Sequence, residues 1–262
     1  MSDLEIQSPV QSVSGEAAET PGLSQWQRIS YAFSAPSKTF IDIKRGNRSW
    51  WLPLIIMAVV GYIFLAAITY KVGWPQVVNN MIHLNPKLED QLSKLTPDQV
   101  ATQKKFMMYP MVGAFIANPV ITLIAVALGS LGLWGTINFV FAGKATYKSI
   151  FAVWFYASLP SLIKSLLGTL VIFAGSDPET FNINNFAPTN LAAFLFPNPL
   201  EANKALYVLT SWLDVTTIWT LVLLGIGTAI VAGVKRSSGY LAVFGWWVIF
   251  LVISVGYAAT TS

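Results

Sequence analysis

The stretch WLPLIIMAVVGYIFLAAITY, Trp51 to Tyr70, contains twenty residues and no charged side chain. A helix of about 20 apolar residues is long enough to cross the roughly 30 Å hydrocarbon core of a bilayer. Four more apolar runs follow it, at residues 111–134, 150–173, 212–234 and 240–259. The strands of a membrane β-barrel are about half that length and alternate in polarity. The chain is therefore predicted to be all-α, a polytopic membrane helix bundle with five transmembrane helices.

The composition agrees with a membrane protein and excludes several classes of chemistry. Of the 262 residues, 54% are hydrophobic and 11% are charged, whereas a soluble domain carries about 25% charged residues. The chain has no cysteine, which excludes disulfides, thiolate catalysis and cysteine-ligated metals. Its one histidine, His83, lies in a predicted loop. We therefore predict no metal site and no cofactor.

Three regions are expected along the chain. Residues 1–23 are polar and predict a disordered tail without a signal peptide. Residues 24–50 mix aromatic and aliphatic side chains with basic ones, which is typical of one or two amphipathic helices at a membrane interface. Pro36 would separate the two helices. Residues 51–259 would form the five-span membrane domain.

The basic residues predict the orientation of the bundle. They concentrate before the first span and in the two short loops that follow spans two and four, at Arg28, Lys38, Lys44, Arg45, Arg48, Lys144, Lys148, Lys235 and Arg236. Short cytoplasmic loops carry such an excess of positive charge. We expect a cytoplasmic N-terminus, an outer C-terminus and a multi-pass location in the inner (cytoplasmic) membrane. Because the charge of +4 lies beside the spans, it does not indicate a nucleic-acid partner.

The two longer loops carry helix-start signals. Asn85-Pro86 and Thr96-Pro97 each place a capping residue before a proline, which predicts two short helices over residues 86–108. In the second loop, a helix is expected to begin at Pro199 and to run into span four. Neither loop is large enough for a separate enzyme domain, and no span carries the Ser–His, paired-aspartate or HExxH arrangement of an intramembrane protease. The protein is predicted not to be an enzyme.

Lys164 is the one charged residue in the stretch SLPSLIKSLLGTL, Ser158 to Leu170. Its Cα is expected about 13 Å below the outer end of span three, farther than a lysine side chain extends toward the interface. Asn118 and Asp214 are expected at a similar depth. We therefore predict an intramembrane polar cluster of Lys164, Asn118 and Asp214. Two interpretations stay open: a contact that fixes helix packing, which we favour, and a site for a substrate or lipid headgroup.

Small residues recur at four-residue intervals on span four, at Gly225, Ala229 and Gly233, and a similar series lies on span two. Such positions let helices approach closely. They predict packing within the bundle in preference to an oligomer interface.

Several motifs together suggest a family. The basic segment APSKTFIDI precedes WWLPLII, span three carries YASLP, and span four carries WLDVTTIWTLVLLGIG. This order resembles the bacterial branch of the Yip family, the Ypt/Rab-interacting membrane proteins, over about residues 30–258. YASLP, from Tyr156 to Pro160, is similar to the family's Gly-Tyr-x-x-x-Pro motif, although Phe155 replaces the glycine. Pro36 stands where eukaryotic members carry an Asp-Leu-Tyr-Gly-Pro motif.

The resemblance implies a non-enzymatic integral membrane protein with a cytoplasmic N-terminus. Eukaryotic relatives bind Rab GTPases. Of their motif only the proline, Pro36, is present in this chain, so Rab binding is not inferred for it. The leading interpretation is an adaptor or membrane-organising protein whose partners are the lipid bilayer and other membrane proteins or further copies of itself. The alternative is a small transporter or lipid-binding protein that uses the cluster around Lys164. A cavity that reaches Lys164 would favour the alternative.

Overall fold

The computed structural model describes residues 22–260, so residues 1–21 of the predicted disordered tail lie outside the described residues. Within the described part, the regular elements are all helical. The α-helices are α1 (Gln25–Ser34), α2 (Pro36–Lys44), α3 (Trp51–Ala67), α4 (Trp74–His83), α5 (Pro86–Ser93), α6 (Pro97–Ile116), α7 (Asn118–Gly135), α8 (Tyr147–Ala157), α9 (Ser161–Phe173), α10 (Leu191–Leu195), α11 (Lys204–Trp212), α12 (Val215–Ala232) and α13 (Arg236–Thr260).

Five helical segments are long and apolar enough to cross a membrane, which confirms the predicted five-span helix bundle. They are Trp51–Val72, Asn118–Val140, Tyr147–Phe173, Val215–Ala232 and Arg236–Thr260. An odd number of crossings puts α1 and α2 on one side of the bundle and the end of α13 on the other. We refer to these as the N-terminal side and the opposite side. The cytoplasmic location of the N-terminal side stays a prediction.

Spans two and four begin later than their apolar runs. Span two starts at Asn118 because Pro119 has no N–H to continue α6, and the chain turns at Ala117 instead. Span four starts at Val215, after the side chain of Asp214 caps a new helix. The expected continuous helix from Pro199 into span four is wrong. A short 3-10 turn is followed by α11, which Asn203 caps separately, since its side-chain oxygen accepts from the Leu206 N–H at 3.1 Å.

Two helices in the loop between spans one and two begin at the capping residues predicted from the sequence. The Asn85 side chain caps α5, and Thr96 forms a capping box with Gln99 at the start of α6. However, α6 is not a short helix, because it continues to Ile116 at the beginning of span two.

Span three is divided by the turn Ser158–Pro160, which separates α8 from α9. Pro160 cannot donate a backbone hydrogen bond, so the regular helix ends at Ala157 and restarts at Ser161. The division redirects the second half of the span: α8 packs along α7, whereas α9 packs along α3. A gap is thereby left between α7 and α9.

The main core forms where the N-terminal helix pair meets spans three and four. Phe40 and Ile43 of α2 are buried in one cluster with Val153 of α8 and Leu224 of α12. Gly227 in span four makes this contact possible, because a β-carbon there would collide with Val153 and Phe40. The pair α1–α2, expected only as an interfacial segment, thus packs against the membrane helices themselves.

Spans four and five approach each other backbone to backbone. Gly239 of α13 lies against the Gly225 carbonyl and Ala229 of α12, and a β-carbon at position 239 would overlap both. Close approach of two backbones brings many atoms into van der Waals contact, which is the main attraction between helices in lipid.

Gly239→Val is expected to lower the stability of the bundle by about 1–3 kcal/mol, because the added side chain must push α12 and α13 apart. Gly256→Val is the matched control on the same helix, where a β-carbon would meet no atom within 4 Å. The measurement is the thermal unfolding midpoint of each variant in the same detergent. Equal midpoints for the two variants would show that the α12–α13 contact tolerates separation.

Candidate functional site

Lys164 and Asp214 meet on the opposite side of the bundle. The break at Pro160 places Lys164 in the first turns of α9, and Asp214 is the N-cap of α12. The Lys164 Nζ lies 3.0 Å from Asp214 Oδ2, and the side chains are 26% and 2% exposed. The two residues therefore form an ion pair of which only the lysine reaches an open surface.

Asp214 has four further hydrogen bonds besides the one from Lys164. Its Oδ1 accepts from the Thr216 N–H at 2.9 Å, the Thr216 hydroxyl at 2.6 Å and the Thr217 N–H at 3.0 Å. Its Oδ2 accepts from the Thr189 hydroxyl at 2.6 Å. A carboxylate at a helix N-terminus is also favoured by the helix dipole. The negative charge of Asp214 is thus well stabilised by groups other than the lysine.

The loop before α10 folds back into the bundle to complete this arrangement. The Val215 N–H donates to the Thr189 carbonyl at 2.9 Å, which holds the loop beside the start of span four. Phe186 packs on Gly168 of α9 and lies 4.4 Å, between ring centroids, from Phe64 of α3. The Lys164 ammonium is 5.6 Å from the centre of the Phe186 ring, within the range of a cation–π contact.

A cavity of about 340 Å³ opens beside Lys164, between spans one, two and three. Asn118 lines the same cavity, but its side-chain oxygen accepts from the Thr122 hydroxyl, at 3.4 Å, and not from Lys164. The structure therefore brings Lys164 and Asp214 into contact and places Asn118 across a cavity from the lysine. We call this space the Lys164 cavity. Its polar side chains are Tyr62, Asn118, Thr122, Ser161, Lys164 and Ser165.

A second buried ion pair lies in the N-terminal helix pair. The Arg28 Nε is 3.5 Å from Asp42 Oδ2, and the two side chains are 1% and 5% exposed. The Arg28 Nη1 also donates to the carbonyls of Asn47, at 2.9 Å, and Ser49, at 3.2 Å. These bonds fix the chain between α2 and span one against α1.

Tyr156 connects that ion pair to span three. Its hydroxyl donates to the Ser49 carbonyl at 3.0 Å, and the Arg28 guanidinium lies 5.1 Å from its ring centre. We call Arg28, Asp42, Ser49 and Tyr156 the tail-docking site. The two segments that carry the family resemblance meet here, because Asp42 belongs to the helix that Pro36 begins and Tyr156 precedes the break at Pro160.

The small residues of span four pack inside the bundle. Gly225 lies against Tyr240, and Ala229 lies against Gly239. Gly233 ends α12 with a φ of 70°, a left-handed conformation that glycine adopts without strain. On span two, Gly129 receives the ring of Trp154.

Of the tail-docking site, the sequence motifs indicate only Tyr156 and do not predict the contacts of Arg28, Asp42 and Ser49. The position of Arg28 beside the first span indicates only orientation, and no motif singles out Asp42. One signal was available, because Asp42 is the single acidic residue in the basic segment 24–50. A lone acid among basic residues can form an ion pair with one of them, and in the structure its partner is Arg28 of the preceding helix.

The comparisons with known proteins agree with these motifs. The Yip1 domain model matches residues 31–257. The chain is also 27% identical over 253 residues to the membrane protein YknW of Bacillus subtilis (strain 168), a match that covers 95% of this chain and 96% of that protein. No solved structure matches the chain. With its Yip1 domain extending over most of the chain and across all five spans, this membrane protein belongs to the Yip1 domain family.

Proposed function

We propose that the protein is a non-enzymatic adaptor of the inner (cytoplasmic) membrane, which presents its N-terminal region to a membrane-protein partner or to a second copy of itself. The observation that carries this proposal is the tail-docking site. The buried Arg28–Asp42 pair joins α1 to α2, Phe40 and Ile43 of α2 lie in the core with spans three and four, and the Tyr156 hydrogen bond holds the chain that follows α2. A segment held in this way can offer a defined surface.

The exposed side of the helix pair has the composition of a contact surface. Trp26 of α1 and Ile41 of α2 are exposed, and a tryptophan is a common anchor in protein interfaces. Basic side chains are exposed on the same side of the bundle, at Lys38, Lys44, Lys144, Lys148 and Lys235. Basic residues beside the spans attract the anionic lipids of the cytoplasmic leaflet. We propose that these lysines hold the surface near the leaflet and that Trp26 and Ile41 contact the partner.

Site-specific photocrosslinking in living cells tests the adaptor proposal. A photoreactive phenylalanine analogue at Trp26 or Ile41 is expected to give a discrete protein adduct, identifiable by mass spectrometry. The same analogue at Val252, which is exposed on span five, is the lipid-facing control. In an Arg28→Met background the adduct should disappear, because α1 is no longer held. Lipid adducts alone at all three positions would contradict the adaptor proposal.

A second function, lipid binding, is proposed from the Lys164 cavity. The notable feature is a charged residue at membrane depth that reaches an open space. The same geometry supports binding better than transport. Toward the N-terminal side, the gap between spans two and three is filled where Trp154 packs on Gly129. The cavity therefore has an entrance beside Lys164 and a packed floor.

A further inference from the structure

We infer that the Lys164 cavity binds the phosphodiester group of one phospholipid, which enters sideways between spans two and three. The inference specifies the ligand of the lipid-binding proposal and rests on it, but it is independent of the adaptor proposal. Three features support it: the opening between the two spans, the charge of Lys164, and a cavity lining that is polar in one part and apolar in another.

The opening follows from the break in span three. Beyond Pro160, α9 packs along α3 and leaves α7, so that these two neighbouring spans diverge on the opposite side of the bundle. Asn118 and Thr122 of α7 then face Ser161 and Ser165 of α9 across the cavity. A gap between two membrane helices is accessible to a lipid from the side, without passage through the loops.

The charge of Lys164 remains available to a ligand. Asp214 already accepts four hydrogen bonds from Thr189, Thr216 and Thr217 and caps the N-terminus of α12, so its carboxylate does not depend on the lysine alone. An ammonium has three N–H donors. Among the described residues, the hydrogen bond given to the Lys164 ammonium runs to Asp214. Its other donors suit the anionic oxygens of a phosphate, which form charge-assisted hydrogen bonds.

The lining matches a molecule with one polar end and one apolar end. Hydroxyl and amide groups surround Lys164, and the remaining wall includes Phe115 and Leu162. The volume of about 340 Å³ is at the lower end of the range for small-molecule sites, so a headgroup fits and whole acyl chains do not. The adjoining surface of α7 is exposed and apolar at Val120, Ile121 and Ile124. Acyl chains can extend along these residues into the bilayer.

Native mass spectrometry of the full chain tests the inference. The protein is released from nanodiscs of phosphatidylethanolamine and phosphatidylglycerol, and the fraction that retains one phospholipid is counted. Lys164→Met removes the ammonium, and Ser165→Leu fills the cavity while Lys164 and Asp214 stay paired. Lys164→Met is expected to lower retention about tenfold or more, the effect of losing one hydrogen bond to a charged group. Ser165→Leu is expected to lower retention as much, because its larger side chain occupies the headgroup space. Leu170→Phe, at an exposed position of the same helix, should retain lipid like the wild type.

Two results would overturn the inference that the cavity binds a phospholipid. Wild-type retention in a Ser165→Leu protein with an unchanged unfolding midpoint would overturn the inference, even if Lys164→Met failed to fold. A soluble anion is the other source of the same chemistry, so excess inorganic phosphate is added in a second series. Binding of phosphate that requires Lys164, without retained phospholipid, would overturn the lipid assignment. The adaptor proposal is measured by crosslinks at Trp26 and is not affected by either result.

Discussion

Arg28→Met is expected to destabilise the protein by about 3–5 kcal/mol, the usual effect of removing one partner of a buried ion pair. Asp42 would keep its hydrogen bonds from the Leu23 N–H and the Asn47 amide but would lose its positive partner while still buried. The Asn47 carbonyl would also lose its bond from Arg28, and the Ser49 carbonyl would keep only its bond from the Tyr156 hydroxyl. The measurement is the thermal unfolding midpoint, together with the rate of protease cleavage between α1 and span one.

Two further variants show whether the charge is the cause. Lys38→Met removes an exposed cation from the neighbouring helix and should change stability by less than about 0.5 kcal/mol. Arg28→Met combined with Asp42→Leu should recover most of the loss, because an apolar pair often replaces a buried ion pair without a net penalty. A double variant as unstable as Arg28→Met alone would refute this account and assign the loss to the carbonyl contacts.

Asp214→Asn is expected to cost about 3–5 kcal/mol, since it leaves the Lys164 ammonium at membrane depth without its carboxylate partner. Asparagine is as good an N-cap as aspartate, so this variant keeps the start of α12 and isolates the charge. Asp214→Ala removes the cap as well and should lose about 1 kcal/mol more. Both are measured as unfolding midpoints in the same detergent or nanodisc.

The two partners of this pair are expected to differ in their effects. Lys164→Met should cost about 1.5–3 kcal/mol, the contribution of one hydrogen bond between charged groups, because Asp214 retains four other donors. Asp214→Asn should therefore be the more damaging change, and Lys164→Met combined with Asp214→Asn should recover part of its loss. The opposite order would mean that Asp214, not Lys164, depends on the pair.

The five spans were predictable from the sequence because each depends on a local property, a long apolar run. Their ends were less predictable. The apolar run of span two includes the last residues of α6, and hydrophobicity alone does not record the break that Pro119 imposes. The helix expected from Pro199 failed for a similar reason, since Asn203 and Asp214 each begin a helix within the same apolar region.

The contact between Lys164 and Asp214 was predictable from their similar depth in the bundle. An unpaired charge inside a membrane costs free energy, so two opposite charges at the same depth favour pairing. The return of Phe186 and Thr189 into the bundle could not be predicted in this way. It depends on the size of Gly168 and on the level at which span four starts, and the loop sequence encodes neither. The partner of Tyr156 was also not predictable. Its hydroxyl donates to the Ser49 carbonyl, and because every residue has a backbone carbonyl, no side chain in the sequence marks this position.

The long sequence separation within the tail-docking site has a consequence for biosynthesis. Ser49 and Tyr156 are 107 residues apart, and at about 5–20 residues per second a ribosome needs roughly 5–20 s to make the intervening chain. During that interval α1 and α2 have no spans three and four to pack on, and their apolar sides are best accommodated on the membrane surface. Docking is therefore a late assembly step: the Arg28–Asp42 pair can form within α1 and α2 alone, whereas the hydrogen bond from Tyr156 to Ser49 requires span three.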